Sequence, residues 1–513
     1  MNSSGRSCCR SSNARSAPST SNRSDDDMKK RLVRTMGIMT ASFGLAACAT
    51  IETPVGFVDN PEPGLQGQQI ASDNPGTVLA LPYSKGVRVV GHSPVSGRDS
   101  NVQMVWAGDC AYLASSSPNF LGFGVSAPEE TFGIAVIDVS DPSDPKPTGL
   151  LRGPGSIHAA ETVDAVTAPD GRMVLAAGAY HNGHGSAAPN DQPAWLEIYD
   201  ISDCANPKKT AQVAWPDNSH TVTISPDGRY VYGTTMNPFT GAGGLQVMDI
   251  SDMAKPRFVG KFEAKRADGS VFGFAAHEIT FSADGRRIYA GVISSKSDHF
   301  NDGIPLMPPS AKLLGNEGGG VLILDNSDFV ERRDDPELRL VSAIAKAGWH
   351  AVMPANIAGV PHLVGGPELT ACPATWPVIT NIADEANPSI VGEFKLAMNR
   401  PENCPRKSAA ELAGGGIVPS PGTATLHYND VDSASDTRLG LFNFMWAGLR
   451  IANLTDPANP TEIAYFKPGD ACTGHVRYRP ESGHIWLTCA ASGFWVLELS
   501  PQVRKLAGLP RLP

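Results

Sequence analysis

Residues 246–262, QVMDISDMAKPRFVGKF, decide how this chain folds. An apolar strand ends in Asp249, a short turn carrying Pro256 follows, and a second apolar strand leaves it. The pattern recurs as AVIDVSDPSDPKPTGLL (135–151), EIYDISDCANPKKTAQV (197–213), LILDNSDFVERRDDPELRLVSAI (322–344), VITNIADEANPSIVGEF (378–394) and RIANLTDPANPTEIAYF (450–466). A degenerate seventh instance is WVLELSPQVRKLAGL (495–509). The marker residues are Asp138, Asp200, Asp249, Asp325, Asn381, Asn453 and Glu498, with gaps of 62, 49, 76, 56, 72 and 45. A base unit of about 45–50 residues with loop insertions is the period of a four-stranded propeller blade. The expected fold is all-β, a seven-bladed β-propeller of four-stranded blades.

Composition agrees. Hydrophobic residues make up 41% of the 513, enough for a large core, and Gly (52) and Pro (42) punctuate short alternating runs. The net charge of -10, with no basic stripe after residue 34, argues against a nucleic-acid partner. No Walker-type loop, GxSxG elbow or HExxH occurs, so phosphate-loop, α/β-hydrolase and zincin chemistry lack support.

The first residues concern address. Residues 1–27 are polar and low in complexity, an upstream extension if Met28 is the working start. From Met28, MKKRLVRTMGIMTASFGLAACAT has a basic region (Lys29, Lys30, Arg31, Arg34), a short apolar stretch and small residues, which is signal-peptide anatomy. Leu45-Ala46-Ala47-Cys48 resembles the lipobox of bacterial lipoproteins, which implies a lipidated Cys48. Ala49 after it favours, by the same resemblance, an outer-membrane lipoprotein facing the periplasm. The division is thus 1–47 extension and signal peptide, 48–85 lipidated cysteine and flexible tether, 86–513 propeller.

Six further cysteines (Cys110, Cys204, Cys372, Cys404, Cys472, Cys489) would meet an oxidising compartment, and fifteen pairings are open. Cys472 and Cys489 flank HVRYRPESGHIWLT, two strands around a tight turn, and so are disulfide candidates; the other reading is two buried thiols.

The repeats resemble the LVIVD-repeat family of bacterial β-propellers, over nearly all of the chain from residue 86. The resemblance implies the fold and leaves activity open, because propellers host many functions. Ring closure has two contenders: GVRVVGHS (86–93), which is similar to an outermost strand such as PRFVGKF, and the C-terminal PQVRKLAGL.

Long loops gather on one face of such a propeller: 115–131, 178–193, 294–320 and 398–423. On that face the innermost strands begin, and histidines stand there. In SHTVTISPDGRYVYGTT (219–235) and AAHEITFSADGRRIYAGV (275–292), His220 and His277 each precede the turn aspartate, Asp227 or Asp284, by seven residues. His350 (AGWHAVMP), His427 (TLHYND) and His475 (TGHVRYRP) occupy the same place, His158 stands near it in blade 2, and blade 1 has Asn101 or Ser100. A ring of imidazoles suits copper, iron, zinc or manganese. The arrangement is similar to that of metal-binding propeller enzymes, the selenium-binding/methanethiol oxidase type and the carotenoid cleavage oxygenases, without an extended motif of either.

Two functions follow. In the first, a metal held by some of His220, His277, His350, His427 and His475 performs Lewis-acid or redox chemistry on a small molecule, as a metal-dependent oxidoreductase or lyase. In the second, a non-catalytic scaffold binds an envelope protein or glycan, and each histidine satisfies buried backbone groups of its own blade. The first requires at least three imidazoles converging within about 4–5 Å. Glu161 and Glu278 are candidate carboxylate partners. Cys472 is a ligand only if it is not in the disulfide. His181 and His184, in the Gly-rich YHNGHG, read as a plain loop.

Overall fold

The computed structural model describes residues 56–70, 81–98, 101–116, 128–180, 193–217, 219–235, 243–295, 319–345, 349–368, 376–406 and 424–511. Cys48, Cys372, His181, His184 and most of the four long loops lie outside them.

Seven sheets follow one another along the chain among the described residues, antiparallel except where Ala264–Lys265 joins Leu338–Ala345 in parallel. Their innermost strands, in blades 1 to 7, are Asn101–Ala107, Val163–Thr167, Val222–Ile224, Phe274–Phe281, Trp349–Ile357, Asn429–Val431 and Val476–Tyr478. In blades 1 to 6 each touches the innermost strand of the next blade, and the innermost strand of blade 1 meets His484–Cys489, the second strand of blade 7. This is the seven-bladed propeller. Blade 4 gains a hairpin (Ala264–Lys265 and Val271–Phe272), and blade 6 gains Tyr83–Lys85 as a fifth strand.

The recurring marker residue has a local task. Asp138, Asp200, Asp249, Asp325, Asn381 and Asn453 each accept the backbone N–H two residues on, at 2.8–2.9 Å. This Asx turn closes the connection between third and fourth strands. The outermost strand then carries a bulge, opposite Val247 and Met248 in blade 3 and opposite Ile379 and Thr380 in blade 5. Its glycine lets the neighbouring turn approach: a Cβ on Gly392 would stand 1.9 Å from the Pro457 carbonyl oxygen, and one on Gly91 2.2 Å from that of Pro142.

Gly91 thereby settles closure. Val87–Ser93 pairs antiparallel with Gly493–Leu499 as the fourth strand of blade 7, so the N-terminal segment joins the ring. The competing C-terminal segment is instead a short α-helix, Pro501–Leu506, started by Ser500, whose hydroxyl accepts from Val503 N–H.

Apolar side chains from both sides of each blade interface form the core, such as Leu441, Ile451, Val476 and Leu487 between blades 6 and 7. Cys472 and Cys489 form a disulfide within this region, which leaves Cys472 unavailable as a ligand. A second disulfide, Cys110–Cys204, ties blade 1 to the turn of blade 2. Cys404 is also disulfide-bonded. Part of the segment expected to be a tether is fixed to the propeller: Glu62 pairs with Arg450 at 2.8 Å, and Gln69 Nε2–H donates to the Trp446 carbonyl.

Candidate metal centre

Where the innermost strands begin, neighbouring blades are stitched by threonines. Thr162 Oγ1–H donates to the His220 carbonyl (3.0 Å), and Thr221 Oγ1–H to that of His277 (2.8 Å). These bonds fix the backbone under each histidine, so that consecutive imidazoles meet at the mouth of the channel. Ring centroids are 4.0 Å apart for His220–His277, 3.6 Å for His277–His350 and 4.4 Å for His350–His427. All four are buried.

Two glutamates enter the cluster. Glu161, on the segment leading into blade 2, puts Oε2 3.2 Å from His220 Nε2 and 3.7 Å from His277 Nε2, and Oε1 3.3 Å from His427 Nε2. Glu368, just beyond the second strand of blade 5, places Oε2 3.5 Å from His350 Nε2 and Oε1 3.8 Å from His427 Nε2. Two sets of three ligating side chains result, Glu161–His277–His350 and His350–Glu368–His427, each with its donor atoms within 4.8 Å of one another. Imidazole with carboxylate is a donor set for zinc, iron, manganese or copper.

The electrostatics leave imidazoles with free lone pairs. Burial, with His220 adding to it, holds His277 well below the usual histidine range. Burial together with His277 and His427 does the same to His350, so both rings are neutral at pH 7. Glu161 overcomes burial and is held well below the carboxylate range by hydrogen bonds from His220 and His427. Burial raises Glu368 to about 8, with His427 opposing, while His427, against burial, is raised to about 9 by Glu368 and Glu161. His427 Nδ1–H donates to the Thr473 carbonyl at 2.5 Å, which turns its Nε2 toward the cluster. Neither ring nitrogen of His350 has a hydrogen-bond partner among the described residues, nor does His277 Nδ1. Such buried polar atoms are ones that an ion, a ligand or a water would satisfy.

His475 stands apart. Its Nε2 bonds Glu278 Oε1 at 2.7 Å, and neither belongs to the two ligating sets. His158 lies in a 3-10 turn, its carbonyl accepting from Tyr180 N–H. Asn101, the blade 1 counterpart, accepts from Arg98 Nε and donates to the Ala490 carbonyl. Tyr180 and Tyr428 wall the cluster, with ring centroids 4.8 Å from His220 and 4.6 Å from His350. Sequence reasoning missed Glu368, whose surroundings, GGPELTAC, carry no strand-start pattern.

The family model for the LVIVD repeat matches residues 131–149 and 240–264, so the chain carries LVIVD repeats. No curated protein matches the sequence. Among solved structures, hydrazine synthase of Kuenenia stuttgartiensis is similar, at 11% identity and TM-score 0.48, over 78% of this chain and 95% of that one. So are the Cps50 (Swd1) β-propeller domain of Myceliophteria thermophila (9%, 0.47, 78% and 96%) and Sqt1 of Saccharomyces cerevisiae (10%, 0.43, 76% and 81%).

Proposed function

We propose that the cluster of His220, His277, His350 and His427 with Glu161 and Glu368 holds a transition metal, and that the protein uses it on a small molecule at the bacterial cell envelope. The observation that carries this reading is His350, a neutral imidazole whose two nitrogens are both buried without a hydrogen bond, between two other imidazoles and near two carboxylates. A histidine bracing its own blade would spend those nitrogens on backbone groups; here the rings face one another. Each ligating set holds two imidazoles and one carboxylate, a mixed donor set in place of the all-histidine set read from the sequence.

Glu161 and Glu368 supply two formal negative charges, which would balance a divalent ion in a site that excludes water. The Thr473 carbonyl, by fixing the His427 tautomer, keeps one Nε2 directed inward. A bound metal would polarise a substrate oxygen, lower the pKa of a bound water or pass electrons. The reaction class is therefore that of a metal-dependent oxidoreductase or lyase. Export as a Cys48-lipidated protein, outer-membrane bound and facing the periplasm, is supported by the signal-peptide pattern and by two disulfides suited to an oxidising compartment.

Elemental analysis of the purified lipid-free protein, beside a His277→Ala/His350→Ala variant, tests the reading. Near-stoichiometric copper, iron, zinc or manganese that the variant loses is the expected result. Absence of metal from both, even after reconstitution, would sink it.

A further inference from the structure

Directly under the cluster the channel holds a cavity of about 270 Å³. Glu161 lines this cavity and also faces three of the cluster histidines, so cavity and cluster share a wall. Asp164, Asp430, Glu278 and His475 line it further along the innermost strands, with Trp106, Met104 and Met353 among its apolar walls. The combination is uneven. Glu278 and His475 pair with each other, whereas Asp164 and Asp430 form no ion pair among the described residues.

Among the described residues their hydrogen bonds come from backbone N–H groups alone. Asp164 accepts from Ala165 (2.8 Å) and Ile224 (2.7 Å), and Asp430 from Val431 (2.7 Å). The nearest guanidinium, Arg477, is directed elsewhere: it donates to the Gly108 carbonyl and lies over the rings of Trp106 and Trp486. Burial pushes Asp164 and Asp430 up to about 7, and the charge of His475, with that of Arg477 at Asp430, offsets it only in part. A second, independent sign is at the Glu278–His475 pair. Glu278 is 7% exposed and His475 9%, yet Glu278 Oε2 and His475 Nδ1 have no hydrogen-bond partner among the described residues.

A divalent metal in the cluster above would be balanced by Glu161 and Glu368, leaving the two aspartates to share His475, which is itself paired with Glu278. The cavity holds several times the volume of one water, about 30 Å³, and much of its wall is apolar. A bare inorganic cation would need three or more ligating groups close together, and among the described residues Asp164, Asp430 and Glu278 form no such set. An alkylammonium ion satisfies both features, its charge between the aspartates and its stem against Met104, Met353 and Trp106, where the indole adds a cation–π surface.

We infer that this cavity binds a small organic cation, a primary ammonium on a short apolar stem, received by Asp164 and Asp430 and presented to the histidine–glutamate cluster. Its presentation to a metal rests on the proposed function; its binding does not.

Calorimetric titration of the full-length protein at pH 8 with n-propylammonium chloride tests the inference, with 1-propanol and calcium chloride as comparison ligands. Saturable binding of n-propylammonium, weakened about ten-fold or more in an Asp164→Asn/Asp430→Asn variant, is expected, as loss of a charged hydrogen bond requires. 1-Propanol and calcium should give no such binding. Equal binding of propylammonium by wild type and variant, or none by wild type, would overturn the inference. Calcium binding abolished by the variant would do so too, by making the cavity an inorganic cation site. If the double variant does not fold, Asp430→Asn alone and the ammonium-versus-alcohol contrast in wild type decide the matter. Metal content measured on the same samples separates the two ideas: amine binding without metal overturns only the metal reading, and metal without amine binding overturns only this one.

Discussion

An imidazole buried with both nitrogens unbonded forfeits water at two points, a cost of about 1–3 kcal/mol for each. A protein retains such a residue when something else reaches the nitrogens, and His350 is that residue here. Glu161 touches three of the four clustered histidines, so Glu161→Gln, which keeps the shape and removes the charge, should weaken metal binding by at least about 10–100-fold. Competition against a chelator would measure it, and unchanged affinity would remove Glu161 from the site. His475→Ala should retain full metal content by elemental analysis, because that ring spends its Nε2 on Glu278. At this scale the sequence was only partly legible. His220, His277, His350 and His427 announced themselves by their place before a strand. His475 shares that place, yet its ring is directed to another partner, and Glu368 arrives from a loop with no such signature.

Among the elements, the fourth strands of blades 5 and 7 depend on a glycine beside the bulge. Gly392→Ala would bring a methyl group 1.9 Å from a backbone carbonyl that belongs to the next blade's turn and cannot simply rotate aside. A destabilisation of about 1–3 kcal/mol is expected from such overpacking, read as a lower midpoint in denaturant unfolding. A midpoint equal to that of wild type would mean that the blades slide apart at no cost. The same glycine reasoning explains why GVRVVGHS, and not the C-terminal PQVRKLAGL, closes the ring. Gly91 allows the Pro142 carbonyl to approach, whereas Pro501 after Ser500 starts a helix. From sequence the two were rivals because both sit beside the last repeat, and the clash that separates them lies between residues far apart in the chain.

Across the whole molecule, the channel gathers carboxylates from separate blades into one buried space. Asp164 and Asp430 stand near 7 there, driven up by burial, with His475 opposing and Glu278 reinforcing the shift; Arg477 also opposes it at Asp430. Unfolded, each would titrate near about 3.9. Between those values the native state holds more protons than the unfolded chain, so stability falls as pH rises from about 4 to about 7. The Asp164→Asn/Asp430→Asn variant should lose that slope and unfold several degrees above wild type at pH 8, as scanning calorimetry over pH 4–8 would record. A variant with an unchanged slope would mean that other groups carry the dependence.

The repeat determined most of the architecture without help. An Asx-turn residue, a proline-bearing turn and alternating strands are local chemistry, and their spacing alone implies seven blades. Histidines at the starts of the innermost strands are local too, since strand position follows from the same repeat. Which blade the N-terminal strand completes, that Cys110 joins Cys204, and which of five histidines converge were decided by the closed ring. Those outcomes depend on side chains about fifty or more residues apart meeting across blade interfaces, and only packing around a common axis sets the distances between them. The two aspartates under the cluster belong to the same class: each is an ordinary strand residue until the ring buries them in one cavity.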